Sequence, residues 1–278
     1  MAVRREAVEA MLDQGPMMLV RVETARGSTP REVGAWMLVS EKRTLGTIGG
    51  GQLEYIAIDA ARALLARGGM RQLLDVPLGP EIGQCCGGRT RITIVRAEGS
   101  TLDRLFEQVE RERAALPSVY VLGAGHVGRA LAAALALLPV RPLLVDGREE
   151  ELSMGPQGVE RVLTPLPEEV VRRAPAGSAF VVLTHDHALD FLITREALAR
   201  GDAAYVGMIG SKTKLVSFRR WLAGAGEVPT DALVCPIGRA GRPDKRPEVI
   251  AAFVAAEIMQ RIAASQAGPV EVTRADAG

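Results

Sequence analysis

Two kinds of hydrophobic segment alternate along the second half of the chain. Short apolar runs typical of buried strands lie at Ser118–Leu122, Pro142–Val145 and Ala179–Thr184. Longer segments with apolar residues at helical spacing separate or follow them, as at Leu189–Ala199 and Pro247–Ala263. This alternation predicts a parallel sheet with helices on both faces.

The first half of the chain has a different order of elements. The predicted helices are a first one that contains Val3–Leu12 and ends near Gly15, then Gln52–Ala66 and Leu102–Leu116. The predicted strands are Met17–Glu23, Ala35–Ser40, Arg43–Ile48, Gln72–Leu78 and Arg89–Ala97. A boundary is expected at Pro117 and Ser118. We therefore predict an N-terminal α/β domain (residues 1–116), a second domain (117–266) and a disordered tail (267–278).

A glycine motif follows the first strand of the second domain. Gly123, Gly125 and Gly128 form G-x-G-x-x-G, a helix begins at His126, and the next strand ends at Asp146. In dinucleotide-binding domains the first glycine allows a tight turn, the second admits a pyrophosphate, and the third lets helix and strand pack closely. We predict a Rossmann-like, doubly wound domain in which these five residues bind a cofactor, with its phosphates at the helix N-terminus.

Composition excludes several classes of function. The net charge of +1 gives no global attraction to nucleic acid or to an anionic membrane. The longest apolar run, Ala130–Leu138, is too short to cross a bilayer, and acidic residues interrupt any signal-peptide pattern at the N-terminus. Three cysteines do not make a disulfide framework in a chain of this size. We expect a cytoplasmic protein with reduced thiols.

Further candidate residues fall where the strands of the second domain end. His185 and His187 flank a carboxylate and can contact a metal or a phosphate, or they are surface histidines beside a helix cap. Ser211 either belongs to a second anion site at a helix N-terminus or is an ordinary helix cap. Asp146 can accept a ribose 2′-hydroxyl, whereas Arg148 can meet a 2′-phosphate, and the sequence leaves both open.

The first domain carries two glycine-rich candidates. Cys85 and Cys86 lie among glycines, where thiols are exposed as soft ligands or sulfur nucleophiles unless they are small buried hydrophobes. Gly49, Gly50 and Gly51 precede a helix, with Gln52 and Glu54 at the mouth of the loop. This loop is either a phosphate cradle or a flexible turn between a strand and a helix.

These motifs together resemble the XdhC/CoxI family, the accessory proteins that mature molybdenum hydroxylases such as xanthine dehydrogenase. The resemblance covers nearly the whole chain and is carried by ordered motifs in both domains. In the first domain these are Arg26–Arg31, Gly46–Glu54 and Gln84–Gly88; in the second they are Gly123–Gly128, Thr184–His187, Gly207–Lys212 and Pro236–Gly238 leading to Pro247–Ala251. The arginine-rich segment Arg239–Arg246 departs from the family's pattern.

The resemblance implies a molybdenum cofactor chaperone and not an enzyme. Such a protein binds a molybdopterin-type cofactor while a cysteine desulfurase supplies sulfur, delivers it to the large subunit of xanthine dehydrogenase or a related enzyme, and is a homodimer. In this chain Cys85 or Cys86 would contact the metal–sulfur end, with Arg26 and Arg31 as charge partners. Either glycine loop would hold the phosphate.

Other interpretations remain open from the sequence. The Rossmann fingerprint also fits an NAD(P)-dependent oxidoreductase, although Tyr205 has no lysine four residues later. An interaction protein with a relict Rossmann domain is a third interpretation, but Gly128 and Asp146 are both retained. In a fourth, the Rossmann domain binds NAD(P) or another nucleotide while the first domain holds the pterin.

Overall fold

The structure is a computed structural model that describes residues 3–27, 32–78, 88–224, 228–239 and 244–266. It divides the chain into two compact units, with the break between Ala115 and Leu116. Each unit has its own sheet and its own hydrophobic core.

The first unit contains a five-stranded antiparallel sheet with three helices. Its elements are α1 (Arg5–Leu12), β1 (Met18–Arg26), β2 (Trp36–Val39), β3 (Thr44–Gly46), α2 (Gly51–Ala66), β4 (Arg71–Pro77), β5 (Arg89–Arg96) and α3 (Ser100–Ala114). The strand order is β3-β2-β1-β5-β4. All the predicted elements of this half are present, and the N-terminal α/β fold is confirmed.

Alternation along the central strand β1 divides the core of this unit into two layers. Val20 and Val22 pack with Leu53 of α2 in one cluster, while Leu19 packs with Leu105 of α3 in the other. Successive side chains of a strand point to opposite faces of the sheet, so a strand with apolar residues on both faces requires a helical layer on each side.

The second unit is a six-stranded parallel sheet between helices. Its strands are β6 (Ser118–Leu122), β7 (Arg141–Asp146), β8 (Glu160–Leu163), β9 (Ala179–Val182), β10 (Tyr205–Met208) and β11 (Leu233–Val234). Its helices are α4 (His126–Leu135), α5 (Glu149–Ser153), α6 (Pro167–Arg173), α7 (His187–Ala199), α8 (Lys212–Ala223) and α9 (Pro247–Gln266). The order β8-β7-β6-β9-β10-β11 is the doubly wound Rossmann arrangement, so that prediction is confirmed.

The sequence pattern predicts neither the strand β8 nor the short helix α5. Glu160, Arg161 and Leu163 are all exposed because β8 is an edge strand. An edge strand with polar and exposed residues lacks the apolar run by which buried strands are recognised.

Helices cover both faces of the parallel sheet. Val119 and Val121 of β6 pack in the cluster that contains Ile258 of α9. Leu122 packs in the opposite cluster, which contains Phe218 of α8. Among the described residues, no helix is both long and apolar enough to span a lipid bilayer.

The glycine motif has the packing role that its spacing predicts. A Cβ on Gly123, whose φ is +126°, would lie 2.3 Å from the carbonyl oxygen of Leu183. A Cβ on Gly128 would lie 1.9 Å from the carbonyl oxygen of Gly123. A Cβ on Gly125 would meet no atom within 4 Å. The first and third glycines therefore serve close packing, and the second leaves open space.

Replacing Gly128 with alanine should destabilise the second unit. The added methyl group has no room against the Gly123 carbonyl, and such overpacking costs about 1–3 kcal/mol or more. Chemical denaturation followed by circular dichroism would measure the loss. Gly125→Ala is the matched control, since its backbone (φ −66°, ψ −175°) suits alanine and its stability should stay within about 0.5 kcal/mol of the parent. A Gly128→Ala protein as stable as the control would contradict this packing role.

Candidate functional site

The candidate site lies at the carboxyl ends of β6 and β9, where the strand order of the parallel sheet reverses. Gly123 follows β6 directly, and its N–H donates to the carbonyl of Val145 at 2.8 Å. The close approach of Gly123 to Leu183 brings the loops after β6 and β9 together. Crevices at such switch points are where doubly wound sheets bind ligands.

The N-terminus of α4 opens into this region without a side-chain cap. Gly125 is its N-cap residue, and no side chain among the described residues accepts its first-turn N–H groups. By contrast, Asp186 caps α7 and Ser211 caps α8. His126, the first residue of α4, is exposed. Free N–H groups and the positive end of the helix dipole favour an anion beside Gly125.

The backbone that leads into α4 is held from two directions at Ala124. Its N–H donates to Oδ2 of Asp146 at 2.7 Å. Its carbonyl accepts from Nη1 of Arg129 at 2.7 Å, and the same nitrogen bonds Glu151 at 2.6 Å. The loop is therefore fixed by side chains of the fold itself.

Asp146 is a buried carboxylate paired with Arg148. Nε and Nη2 of Arg148 donate to its two oxygens at 3.0 and 2.9 Å, and the N–H of Arg148 adds a bond of 3.0 Å. Burial opposes ionisation of Asp146, but the hydrogen bonds from Arg148 and Ala124 outweigh it and hold its pKa below the ordinary value. The two residues that the sequence offered as alternative contacts of a ribose are thus bonded to each other.

The loop after β9 is organised around two aspartates. Asp186 accepts from the N–H groups of Ala188 and Leu189, and these bonds lower its pKa. His185 and His187 are exposed beside it. This is the helix-cap arrangement that the sequence allowed. Within the described part of the chain, no group of three His, Cys, Asp or Glu residues is placed to hold a metal ion.

A buried ion pair behind this loop was not predicted from the sequence. Asp190 is fully buried and bonds Nζ of Lys214, whose side chain is only 9% exposed. The other oxygen of Asp190 accepts from the N–H and the hydroxyl of Thr184, at 2.9 and 2.7 Å. The pair joins α7 to α8 and fixes the end of β9.

Lys214 lies at the N-terminus of α8, the place that the sequence offered as a second anion site. Its N–H is capped by Ser211, and its side chain lies where a Cβ on Gly210 would fall. Burial raises the pKa of the nearby Cys235 thiol, while Lys214 opposes the rise. In the structure Ser211 is the cap of α8, and Lys214 has an internal partner in Asp190.

Glu257 fixes the loop after β11. It accepts from the Tyr205 hydroxyl at 2.8 Å and from the Gly238 N–H at 3.1 Å. Burial and the adjacent Glu257 carboxylate raise the pKa of Tyr205. Tyr205 therefore remains protonated as a hydrogen-bond donor and holds this edge of the sheet to α9.

In the first unit, the chain's own carboxylate fills the predicted phosphate cradle. Oε2 of Glu54 accepts from the N–H groups of Ile48 and Gly50 at 3.1 Å each, and from the Thr47 hydroxyl at 2.6 Å. The Gly49 N–H donates to the Thr47 hydroxyl oxygen at 3.1 Å. Three N–H groups of this loop therefore already have internal acceptors. Gly51 and Gln52 are exposed at the start of α2.

Cys85 and Cys86 lie outside the described residues, as does Arg31. Their predicted roles therefore stay predictions. Arg89 and Arg91, the arginines that follow the two cysteines in the sequence, both form ion pairs with Asp75, at 2.7 and 3.8 Å. The charge of these arginines is thus partly neutralised by the carboxylate of Asp75 on the edge strand β4.

Breaking the buried ion pair should be costly, whereas removing both charges should be much less so. Asp190→Asn keeps an acceptor for Thr184 but leaves the Lys214 ammonium buried without its counter-ion, which costs about 3–5 kcal/mol. In the double variant Asp190→Asn/Lys214→Met we expect most of this loss to be recovered. Denaturation curves of the parent, both single variants and the double variant would give the coupling energy. Strictly additive effects would contradict the ion pair.

Comparisons with family models and known proteins identify relatives of this chain. Residues 119–258 match the model described as XdhC Rossmann domain, and residues 2–77 match that of the XdhC and CoxI family. The uncharacterized protein YqeB of Escherichia coli is 27% identical over 285 residues, which cover 94% of this chain but only 46% of that protein. The chain thus spans about half the length of this curated relative.

The fold has a match among solved structures. The crystal structure titled as a xanthine dehydrogenase from Bacillus halodurans superimposes with a TM-score of 0.70 at 17% identity, covering 95% of this chain and 97% of that one. At that identity the likeness concerns the fold alone. The matches to both family models confirm the resemblance: this chain belongs to the XdhC and CoxI family.

Proposed function

We propose that this protein is an accessory factor that binds a molybdopterin-type molybdenum cofactor and delivers it to xanthine dehydrogenase or a related molybdenum hydroxylase. Membership of the XdhC and CoxI family supports an accessory role. The structural observation that carries the proposal is the uncapped N-terminus of α4, with open space beside Gly125, at the switch point of the sheet.

The residues at this site suit the phosphate end of such a cofactor. A phosphate needs convergent N–H donors in a preformed position, and the first turn of α4 provides them. The Ala124 backbone is held by Asp146 and Arg129, so little ordering is needed on binding. In the first unit, Glu54 competes for the N–H groups of the Gly49–Gly51 loop, which makes the α4 site the better candidate.

The cofactor itself would supply a molybdenum–sulfur centre, and the protein would bind, orient and shield it. Thiols are soft ligands that suit such a centre, so Cys85 or Cys86 remains our proposed contact for the metal end. The exposed imidazoles of His185 and His187 follow β9, at the same carboxyl edge of the sheet, and are secondary candidates. We further propose that a cysteine desulfurase and the client's large subunit are partners and that the protein self-associates.

A negative charge at the α4 N-cap should expel the cofactor without harming the fold. Asp at an N-cap position stabilises a helix and suits the extended backbone at Gly125, but it fills the anion position with a carboxylate. After expression in cells that make molybdopterin, the parent should release a stoichiometric amount of oxidised fluorescent pterin. Gly125→Asp should retain about tenfold less or lower still.

The control variant adds the same charge to the N-terminus of another helix in the unit that contains the parallel sheet. Leu166 is the N-cap residue of α6, which follows the edge strand β8, and it also lacks a side-chain cap. Leu166→Asp should keep the pterin content of the parent. Equal loss in both variants would mean that the effect is not local to α4. A parent protein without pterin but with bound nicotinamide nucleotide would replace this proposal with an NAD(P)-dependent oxidoreductase.

The two cysteines of the first domain should matter for retention of the same cofactor. Cys85→Ala/Cys86→Ala removes both thiols, so the pterin content should fall while the circular dichroism spectrum and denaturation midpoint remain those of the parent. The pterin assay on the purified variant is the measurement. Unchanged pterin content in the double variant would remove the cysteines from the proposed site.

A further inference from the structure

The carboxylate of Asp146 has no free position for a ribose. Oδ1 accepts the N–H and Nε of Arg148, each at 3.0 Å, and Oδ2 accepts the Ala124 N–H at 2.7 Å and Nη2 of Arg148 at 2.9 Å. A carboxylate offers about four lone-pair positions, and these four bonds use them. An acidic residue at the end of this strand usually accepts the hydroxyl groups of an adenine ribose. In this protein those hydroxyls would first have to displace Arg148.

Displacing Arg148 would be unfavourable for the fold. The Asp146 side chain is only 7% exposed, and Arg148 neutralises its charge through two side-chain hydrogen bonds. Without the guanidinium, a buried carboxylate would keep only the two backbone N–H groups as partners. Removing one partner of a buried ion pair is strongly destabilising, because it leaves the other charge buried without compensation.

Arg148 itself presents a positive group at this corner. Its side chain is 39% exposed, and its remaining nitrogen, Nη1, forms a longer ion pair with the Glu151 carboxylate at 3.6 Å. A guanidinium has five N–H donors, so two bonds to Asp146 leave others for an anion. Guanidinium groups bind phosphate oxygens through charge-assisted, often bidentate hydrogen bonds. A phosphate bound here would leave the Asp146–Arg148 pair intact and would take the place of Glu151 beside Nη1.

We propose that Arg148 makes the corner beyond β7 recognise a phosphate monoester instead of a ribose diol, so that the Rossmann domain prefers a nucleotide phosphorylated on the ribose at that end. NADP(H) is the chemical class that fits, with its pyrophosphate at the N-terminus of α4. The inference rests on the proposed function only in sharing α4 as the phosphate site. A bound nucleotide would then compete with the cofactor for that helix.

Calorimetric titration of the full chain, freed of pterin, with NADP⁺ and with NAD⁺ tests the proposal. We expect NADP⁺ to bind about ten- to a hundredfold more tightly, as hydrogen bonds to a charged group allow. Arg148→Ala should abolish this preference. Arg148→Lys keeps the charge but loses the bidentate geometry, so it should keep part of the preference for NADP⁺. This variant is the test of the proposal if Arg148→Ala does not fold. Arg173→Ala, an exposed arginine of α6, is the matched control and should leave both affinities unchanged.

Three results would overturn the inference: equal or tighter binding of NAD⁺ by the parent, an unchanged preference in Arg148→Ala, or no binding of either nucleotide. The outcome is separate from that of the cofactor assay. Retained pterin without nucleotide discrimination would leave the carrier function standing and remove the role of Arg148. A preference for NADP⁺ in a protein that never contains pterin would support the role of Arg148 and remove the carrier function.

Discussion

Hydrogen bonds from backbone N–H groups to the chain's own carboxylates hold together the loops on which this protein's site depends. Asp146 receives the N–H of Ala124, Asp190 receives that of Thr184, and Glu54 receives that of Gly50. Loops at strand ends carry N–H groups without a partner in the sheet, and burying them unpaired is costly. A carboxylate is a strong acceptor for this purpose. The result is a set of rigid loops, among which the N-terminus of α4 still lacks a side-chain cap within the described chain.

The sequence was sufficient to predict the part of the fold that depends on local patterns. The unit β6–α4–β7 follows from one apolar strand, the G-x-G-x-x-G spacing and a second apolar strand, because each glycine has a steric role that sequence neighbours determine. Asp146 was also identified, as a candidate acceptor for a ribose hydroxyl, with a contact of Arg148 to a 2′-phosphate left open beside it. Its actual partner, Arg148, is only two residues away. Which groups fill a carboxylate's acceptor positions depends on side-chain conformation, and spacing alone does not specify it.

The remaining part of the site depends on contacts between distant positions. Asp190 lies in a helix whose other buried residues include Ile193 and Ala197, and a sequence pattern would place a lone aspartate there at the surface. Its partner Lys214 is 24 residues away on the next helix. The Gly49–Gly51 loop shows the opposite case. The sequence left this loop open as a phosphate cradle or a flexible turn, and in the structure its N–H groups donate to Glu54, which the sequence placed at its mouth.

The double restraint on Ala124 has a consequence for how a bound group can leave. Its N–H is tied to Asp146 and its carbonyl to Arg129, so each of the two peptide planes that meet at Ala124 is held by a side chain, and neither can turn without breaking that bond. A site of this kind does not open by a hinge movement of its own loop. Transfer of a ligand from it would instead require a receiving protein whose hydrogen-bond donors bind the ligand more strongly at close range. The rate of transfer would then be governed by the encounter with that protein.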